Sequence, residues 1–266
     1  MSPSIDNRAS GRKDDAAADA IDSRAGRLEY YQEYWRVPQI VETPYLRWKA
    51  AFTRAHPLVT KAKSVLDVGC GDGFVLEAIG RRDTRLCGVD VADVAVARVR
   101  ERGFEGEVVD LEQGVLPYPS GTFDVALCYD VLEHLFSPGR LLREIGRVTR
   151  QDGALLLCVP NTLNVFNRML FLLGDYVDVM DTSHSGTDMF SNHIRLFSKA
   201  LFEKFVQSEG LRIEERHFYF PDEFSDSRFP LPRGLTRVFT SPRLPQRLPA
   251  LFALGFLYVC RKVDAG

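Results

Sequence analysis

The sequence predicts an α/β fold, a doubly wound seven-stranded sheet that is mostly parallel with an antiparallel last strand. Three observations carry that expectation. From Ser64 to Val159, short runs of β-branched and small apolar residues alternate with segments of helical period. In "VLDVGCGDG" (Val65 to Gly73), three glycines follow the first apolar run directly. Two more strand-like stretches, Arg212 to Phe220 and Gly255 to Lys262, come after the alternating region. Strands that alternate with helices pair in parallel, with the helices covering both faces.

Residues 1–27 are Ala, Asp, Arg and Ser with five acidic and five basic side chains. They have nothing to pack and read as a disordered tail. From Arg27 to Phe52, "RLEYYQEYWRVPQIVETPYLRWKAAF" has helical spacing and many aromatics, so short N-terminal helices are expected over 28–62, ended or bent at Pro38 and Pro44. The main domain is expected over 63–266. Its strands are Ser64–Val68, Arg85–Asp90, Glu107–Asp110, Phe123–Tyr129 and Ala154–Val159. The helices between them are Phe74–Gly80, Asp93–Glu101 and Pro138–Thr149. An insertion over 161–195 holds an apolar helix near Val165–Leu173, stopped by Gly174, and is read as a lid. Helix Lys199–Glu209 and strand Arg212–Phe220 follow, then a proline-rich insertion over 221–250 and the last strand.

Composition removes several function classes. The chain has 266 residues, 45% hydrophobic and 26% charged, which suits one substantial core. The tail lacks the apolar run of a signal peptide. Ala250–Cys260, the longest apolar run, has eleven residues, too few to cross a bilayer at about 1.5 Å per residue. A cytoplasmic protein is the expectation. Cys70, Cys87, Cys128, Cys158 and Cys260 show no CxxC spacing and read as buried free thiols. From Ser227 to Val263 there are seven Lys or Arg and no Asp or Glu. That stretch suits a solvated surface or an anionic partner such as a phosphorylated sugar or membrane surface. The chain carries no nucleic-acid motif, so no nucleic-acid partner is expected.

Glycines after a first strand let the backbone approach a ligand that side chains would block. A dinucleotide fingerprint needs a third glycine where this sequence has Phe74, which weakens a nicotinamide reading. Asp90 ends the second strand 21 residues after Gly69, where a carboxylate accepts from both hydroxyls of a ribose. Asp110 ends the third, placed to accept from an adenine amino group. Three strand ends thus offer a site for a nucleoside without a diphosphate.

These residues resemble the class I S-adenosylmethionine-dependent methyltransferases, a Rossmann-like family, from about Val65 to Glu214. "VLDVGCGDG" looks like the first motif, "GVDV" the second, and "VVDLEQGVLPYPSGTFDVALCYDVLEHL" the third and fourth. The resemblance implies that S-adenosyl-L-methionine is the cofactor. It implies that Asp67, Gly69 and Gly71 line its methionine side, that Asp90 with Val91 holds the ribose, and that Asp110 and Leu111 meet the adenine. Tyr129 is expected near the sulfonium, and Tyr31 is the N-terminal candidate for cofactor contact. "DLEQGVLPYPSGTFD…PN" is similar to the methionine-biosynthesis W-type domains. "DVLEHL" with the later "HIRLFS" is similar to the ubiquinone O-methyltransferases and to methyltransferases of glycan and natural-product clusters.

A hydroxyl acceptor must lose a proton, which a histidine can take at neutral pH. His134, His184 and His193 are the candidates, with His134 and His193 preferred, while His56 and His217 are expected to be structural. If a helix starts at "DVLEHL", Asp130, Glu133 and His134 share one face. With His193 they could hold a divalent ion such as Mg²⁺, similar to the metal motif of small-RNA 2′-O-methyltransferases. The competing expectation is that Asp130 caps that helix. The favoured function is methyl transfer to a small-molecule hydroxyl on a sugar, quinol or natural-product intermediate, the acceptor being anionic or lipid-linked. Two alternatives remain: a partner-binding module with little catalysis, and a nicotinamide-dependent oxidoreductase.

Overall fold

The computed structural model describes residues 24–36, 43–80, 83–172, 193–220 and 246–263. The sheet consists of β1 (Ser64–Val68), β2 (Arg85–Asp90), β3 (Glu105–Val108), β4 (Phe123–Tyr129), β5 (Thr149–Pro160), β6 (Leu211–Tyr219) and β7 (Gly255–Lys262). They lie in the order β3-β2-β1-β4-β5-β7-β6. β3, β2, β1, β4 and β5 pair in parallel, and β7 runs antiparallel to both its neighbours. The expected seven strands and reversed last strand are therefore present. Chain order reverses between β1 and β4, so a crevice opens beyond their carboxyl ends, where ligands of such sheets bind.

β1 is buried along its whole length, and consecutive residues serve opposite layers of core. Leu66 and Val68 pack with Leu141, Leu142, Ile145, Phe202 and Val206. Those residues come from α6 (Pro138–Val148) and α8 (Lys199–Ser208). Val65 packs with Val59, Leu76, Leu127 and Leu257 on the other face. That face is covered by α2 (Pro44–Ala55), α3 (Pro57–Lys61) and α4 (Phe74–Ile79), with α5 (Asp93–Glu101) beside β2 and β3. All five cysteines are free and buried.

Several boundaries differ from expectation. Helix α1 (Arg24–Arg36) begins inside the stretch expected to be tail. Pro44 starts α2 rather than ending a helix, because the Thr43 hydroxyl caps it by accepting from the Leu46 N–H (3.1 Å), and proline needs no donor at the first position. β5 begins at Thr149, immediately after α6, since Thr149 pairs with Phe123 across a register shift. Helix α7 (Val165–Leu172) matches the apolar helix of the insertion, and α9 (Pro249–Phe252) precedes β7. His184, Gly174, most of the tail and residues 221–245 lie outside the described residues. No helix among the described residues is long and apolar enough to cross a membrane.

Candidate active site

The turn after β1 is built as the sequence requires. Gly69 (φ +75°) and Gly71 (φ +52°) both adopt left-handed backbone. A Cβ at Gly69 would run into Val131 Cγ2, and one at Gly71 into the indole of Trp35. The N–H groups of Gly69 and Cys70 donate to the Val89 carbonyl (2.8 and 3.1 Å), tying the turn to β2. Gly71 N–H donates to Asp90 Oδ2 (3.0 Å), and Ala92 N–H donates to Asp90 Oδ1 (3.0 Å). Asp90 is thus buried as a bracket between the glycine turn and the start of α5. Burial raises its pKa, against those two backbone bonds and one from Val91.

Asp67 is buried near the end of β1. Burial, joined by the Asp90 charge and opposed by Lys49, moves its pKa from 3.8 to about 7. The native state therefore holds this proton more tightly than the unfolded chain does. The associated stability is complete below about pH 4 and is lost as pH rises through 7. Asp67→Asn should accordingly gain stability relative to the parent as pH rises over that window. Urea titrations at several pH values check this, and a constant difference between the two proteins would mean that Asp67 ionises normally.

Helix α1 lies over the glycine turn. Gln32 Nε2 donates to the Val91 carbonyl (3.4 Å), and the Asp93 N–H donates to Gln32 Oε1 (3.1 Å). Trp35 sits against Gly71, and the Tyr31 ring meets His134 edge-on with centroids 6.4 Å apart. The structure therefore brings Tyr31 to the histidines. Asp110 follows β3 and its Oδ1 accepts from the Glu112 N–H (3.1 Å), while Leu111 packs in the core beside Val131. Tyr129 is buried on the α2 face, its hydroxyl 2.8 Å from Thr53 Oγ1, with a pKa raised well above 10 by burial.

Beyond β4 the chain departs from the expected helix. Asp130 takes φ +53°, and only a short 3₁₀ turn, Leu132–His134, follows. Asp130 is therefore no helix cap. Its carboxylate pairs with Lys49 and accepts from the Tyr45 hydroxyl (3.2 Å), which points it toward α2. The remaining three residues do converge: ligand atoms of Glu133, His134 and His193 lie within 4.8 Å of one another. His193 Nε2 is 3.9 Å from Glu133 Oε1, and the two histidine rings are 4.7 Å apart. The returning segment is stitched to the turn, since Arg195 N–H donates to the Glu133 carbonyl (3.1 Å) and Arg195 Nε to the Leu135 carbonyl (2.8 Å). Glu133 is buried with neither carboxylate oxygen hydrogen-bonded. Burial, with the Asp130 charge adding and His193 opposing, lifts its pKa well above the carboxylate range.

His56 and His217 lie elsewhere, both against Glu215 (3.4 and 2.8 Å). His56 Nδ1 also accepts from the Leu58 N–H (3.3 Å), capping α3. That bond places the neutral ring's proton on Nε2, which suits donation to Glu215 and not metal ligation.

Lys49 and Tyr45 were missed by sequence reasoning, although a signal existed. Tyr45, Lys49 and Thr53 recur every four residues on the buried face of α2, and a lysine on an apolar face needs a buried partner.

A glycine turn, a carboxylate bracketing it from the second strand and an acid–imidazole cluster beyond the fourth thus gather at the carboxyl ends of the central strands. Residues 66–157 match the family model described as a methyltransferase domain. It is 34% identical over 119 residues to a "Probable S-adenosylmethionine-dependent methyltransferase" of Mycobacterium tuberculosis, covering 45% of this chain and 43% of that protein. It is 33% identical over 105 residues to a ubiquinone biosynthesis O-methyltransferase of Pseudomonas paraeruginosa, covering 37% of this chain and 45% of that one. Each match spans less than half of the relative's length. A solved S-adenosylmethionine-dependent methyltransferase from Archaeoglobus fulgidus shares the fold, with a TM-score of 0.56 at 16% identity over 88% of this chain and 98% of that one.

Proposed function

We propose that this chain transfers a methyl group from S-adenosyl-L-methionine to a hydroxyl of a small-molecule acceptor on a sugar, quinol or natural-product intermediate, anionic or lipid-linked. The observation that carries this reading is the Glu133–His134–His193 cluster, which stands on the rim beside the glycine turn because β4 neighbours β1 in the sheet. Asp67, Gly69 and Gly71 serve the methionine side of the cofactor, Asp90 and Val91 the ribose, and Asp110 and Leu111 the adenine. Tyr31 closes the rim from α1. Tyr129 supports the floor from the α2 side rather than lining it. The described parts of the insertion, residues 161–172 and 193–195, serve the acceptor side.

The sulfonium is already a good leaving group, so the protein's task is alignment and exclusion of water. The acceptor oxygen attacks the methyl carbon in line, the carbon–sulfur bond breaks, and the hydroxyl proton passes to the imidazole of His193 or His134. Glu133 stands beside His193, Oε1 3.9 Å from Nε2. Glu133 and the two histidines also fit a divalent ion. A set of two imidazoles and one carboxylate suits Zn²⁺ or Mn²⁺ better than the oxygen-seeking Mg²⁺. Such an ion would lower the pKa of a bound hydroxyl. A buried acid–imidazole cluster on the rim favours catalysis over a partner-binding module.

Calorimetric titration with S-adenosylhomocysteine tests the cofactor assignment. Binding is expected in the parent, with Asp90→Ala weaker by about 1.5–3 kcal/mol, the worth of hydrogen bonds to a charged group. Methyl-labelled cofactor with a metabolite extract then reads turnover, and turnover that survives chelation assigns the proton to the imidazoles alone. A folded parent that binds NAD and not S-adenosylhomocysteine would overturn the proposal.

A further inference from the structure

The strand ends that gather the acid–imidazole cluster also gather exposed apolar side chains. β4 and β5 run parallel, and β5 pairs with β7 so that Pro160 lies opposite Gly255. The segments that leave β4 and β5 and the one that enters β7 therefore meet on one rim, and each turns large apolar residues to solvent. After β4, Phe136 is 51% exposed, two residues past His134. Arg195 ties the returning segment to it by donating to the carbonyls of Leu135 and Phe136. That segment is extended, so His193 and Arg195 face the 3₁₀ turn while Ile194 and Leu196, between and beyond them, are exposed. After β5, α7 carries Phe171 and Leu172 at 73% and 83% exposure. Its base is rooted, since Asn164 Oδ1 accepts from the Asn167 N–H (3.1 Å) and Asn161 Nδ2 donates to the Ala253 and Ala250 carbonyls (2.7 and 3.2 Å). Those last bonds hold α7 beside α9, and Leu248, the residue before α9, is exposed too.

Charge on the same rim is of one sign. Residues 161–172, 193–202 and 246–256 hold four Lys or Arg and no Asp or Glu, in a chain whose net charge is −2. Arg168 and Arg247 are exposed and form no ion pair among the described residues. The acidic groups nearby are committed: Glu133 is buried, and Glu112 accepts from the N–H groups of Phe136 and Ser137 (2.9 and 3.0 Å). Apolar tips beside unpaired guanidiniums suit the headgroup region of an anionic bilayer, where the tips leave water and the arginines meet phosphates. The tips stand on separate segments around an opening, which fits a yielding lipid phase better than the single close-packed face of a protein partner.

We propose that this rim docks on an anionic lipid bilayer, with Phe171, Leu172 and Leu248 entering the acyl boundary and Arg168 and Arg247 meeting lipid phosphates. The crevice then opens toward the membrane, and the methyl acceptor reaches the acid–imidazole cluster from the bilayer rather than from water. This second step rests on the methyl-transfer reading above and narrows the acceptor to a lipid-embedded hydroxyl compound.

The test is flotation of the full chain with vesicles of phosphatidylcholine alone or of phosphatidylcholine and phosphatidylglycerol in equal parts, at low and high salt. The parent is expected to float with the anionic vesicles, less so at high salt, and to stay behind with phosphatidylcholine alone. Phe171→Ser combined with Leu172→Ser should weaken partitioning by about tenfold or more. Arg168→Gln and Arg247→Gln should weaken it by about fivefold each. Val263→Ser, at an exposed apolar residue past the far end of β7, should leave it unchanged. All variants should melt as the parent does and keep its affinity for S-adenosylhomocysteine, because the substituted side chains are exposed. If the double serine variant melts lower, the two arginine variants and the salt series carry the test. A parent that ignores both vesicles, or losses as large in Val263→Ser as in the rim variants, overturns the docking surface. So does a parent that is dimeric by light scattering without lipid and becomes monomeric in the double variant, which would give the face to a second copy of the chain. Vesicle binding without S-adenosylhomocysteine binding would sink the methyl-transfer reading and leave the docking surface standing.

Discussion

Lys49→Met should destabilise the protein by about 3–5 kcal/mol, the range for removing one partner of a buried ion pair. Lys49 sits on the buried face of α2, and its ammonium pairs with Asp130 and lies 4.4 Å from the centre of the Tyr45 ring. Burial disfavours the charge, but Asp130 more than compensates and Lys49 keeps a pKa above its usual value. Methionine fills much of the same space, so lost packing contributes little. The cost comes from Asp130, which keeps Tyr45 but loses its counter-charge in a left-handed backbone position where a non-glycine residue is strained. Because the Asp130 side chain is 27% exposed, water can reach it and the loss should fall toward the lower end of the range. Adding Asp130→Asn to Lys49→Met should recover part of it, since the orphaned charge is then gone. Urea denaturation measures both. A single-variant loss under about 1 kcal/mol would mean that solvent screens the pair as it does a surface bridge.

That pair also marks where sequence reasoning stopped. The sheet was legible because its strands are continuous apolar runs between turn residues, and because glycines at 69 and 71 announce a left-handed turn whatever the tertiary context. Strand limits were less so. "TRQDG" reads as a helix end and a turn, yet Thr149 is drawn into β5 by pairing with Phe123, a contact between residues 26 apart. Convergence of Glu133, His134 and His193 was legible as a set, since a distant histidine had only to return to the same rim. The departure of Asp130 was not, because the i, i+3, i+4 argument assumed a helix where the backbone turns left-handed and a lysine 81 residues earlier takes the carboxylate. The unmet oxygens after β5, Asn161 Oδ1, Thr162 Oγ1 and Asn167 Oδ1, were invisible for a related reason. Asn and Thr in sequence read as turn formers, and only their burial shows that their carbonyl and hydroxyl oxygens lack partners.

Gly69→Ala should cost about 2–5 kcal/mol, and the sum has two separable parts. The first is conformational, about 1–2 kcal/mol for holding an L-residue at φ +75°. The second is steric, about 1–3 kcal/mol for overpacking, because the new methyl runs into Val131 Cγ2. The turn cannot back away freely, since the Gly69 N–H is bonded to Val89 and Gly71 to Asp90. Val131 must therefore move, and it lies between Asp130 and the 3₁₀ turn that carries Glu133 and His134. Strain at the cofactor turn is thus passed to the acid–imidazole cluster through one side chain. Val131→Ala removes the obstructing methyl but leaves the backbone angle unchanged. In that background Gly69→Ala should cost only its conformational part, giving a coupling of about 1–3 kcal/mol between the two positions. Urea denaturation of the four proteins supplies the cycle, with S-adenosylhomocysteine titrations beside it to read the turn directly. Equal losses in both backgrounds would assign the whole effect to the backbone angle, and the contact between the glycine turn and the Glu133 turn would then carry no strain.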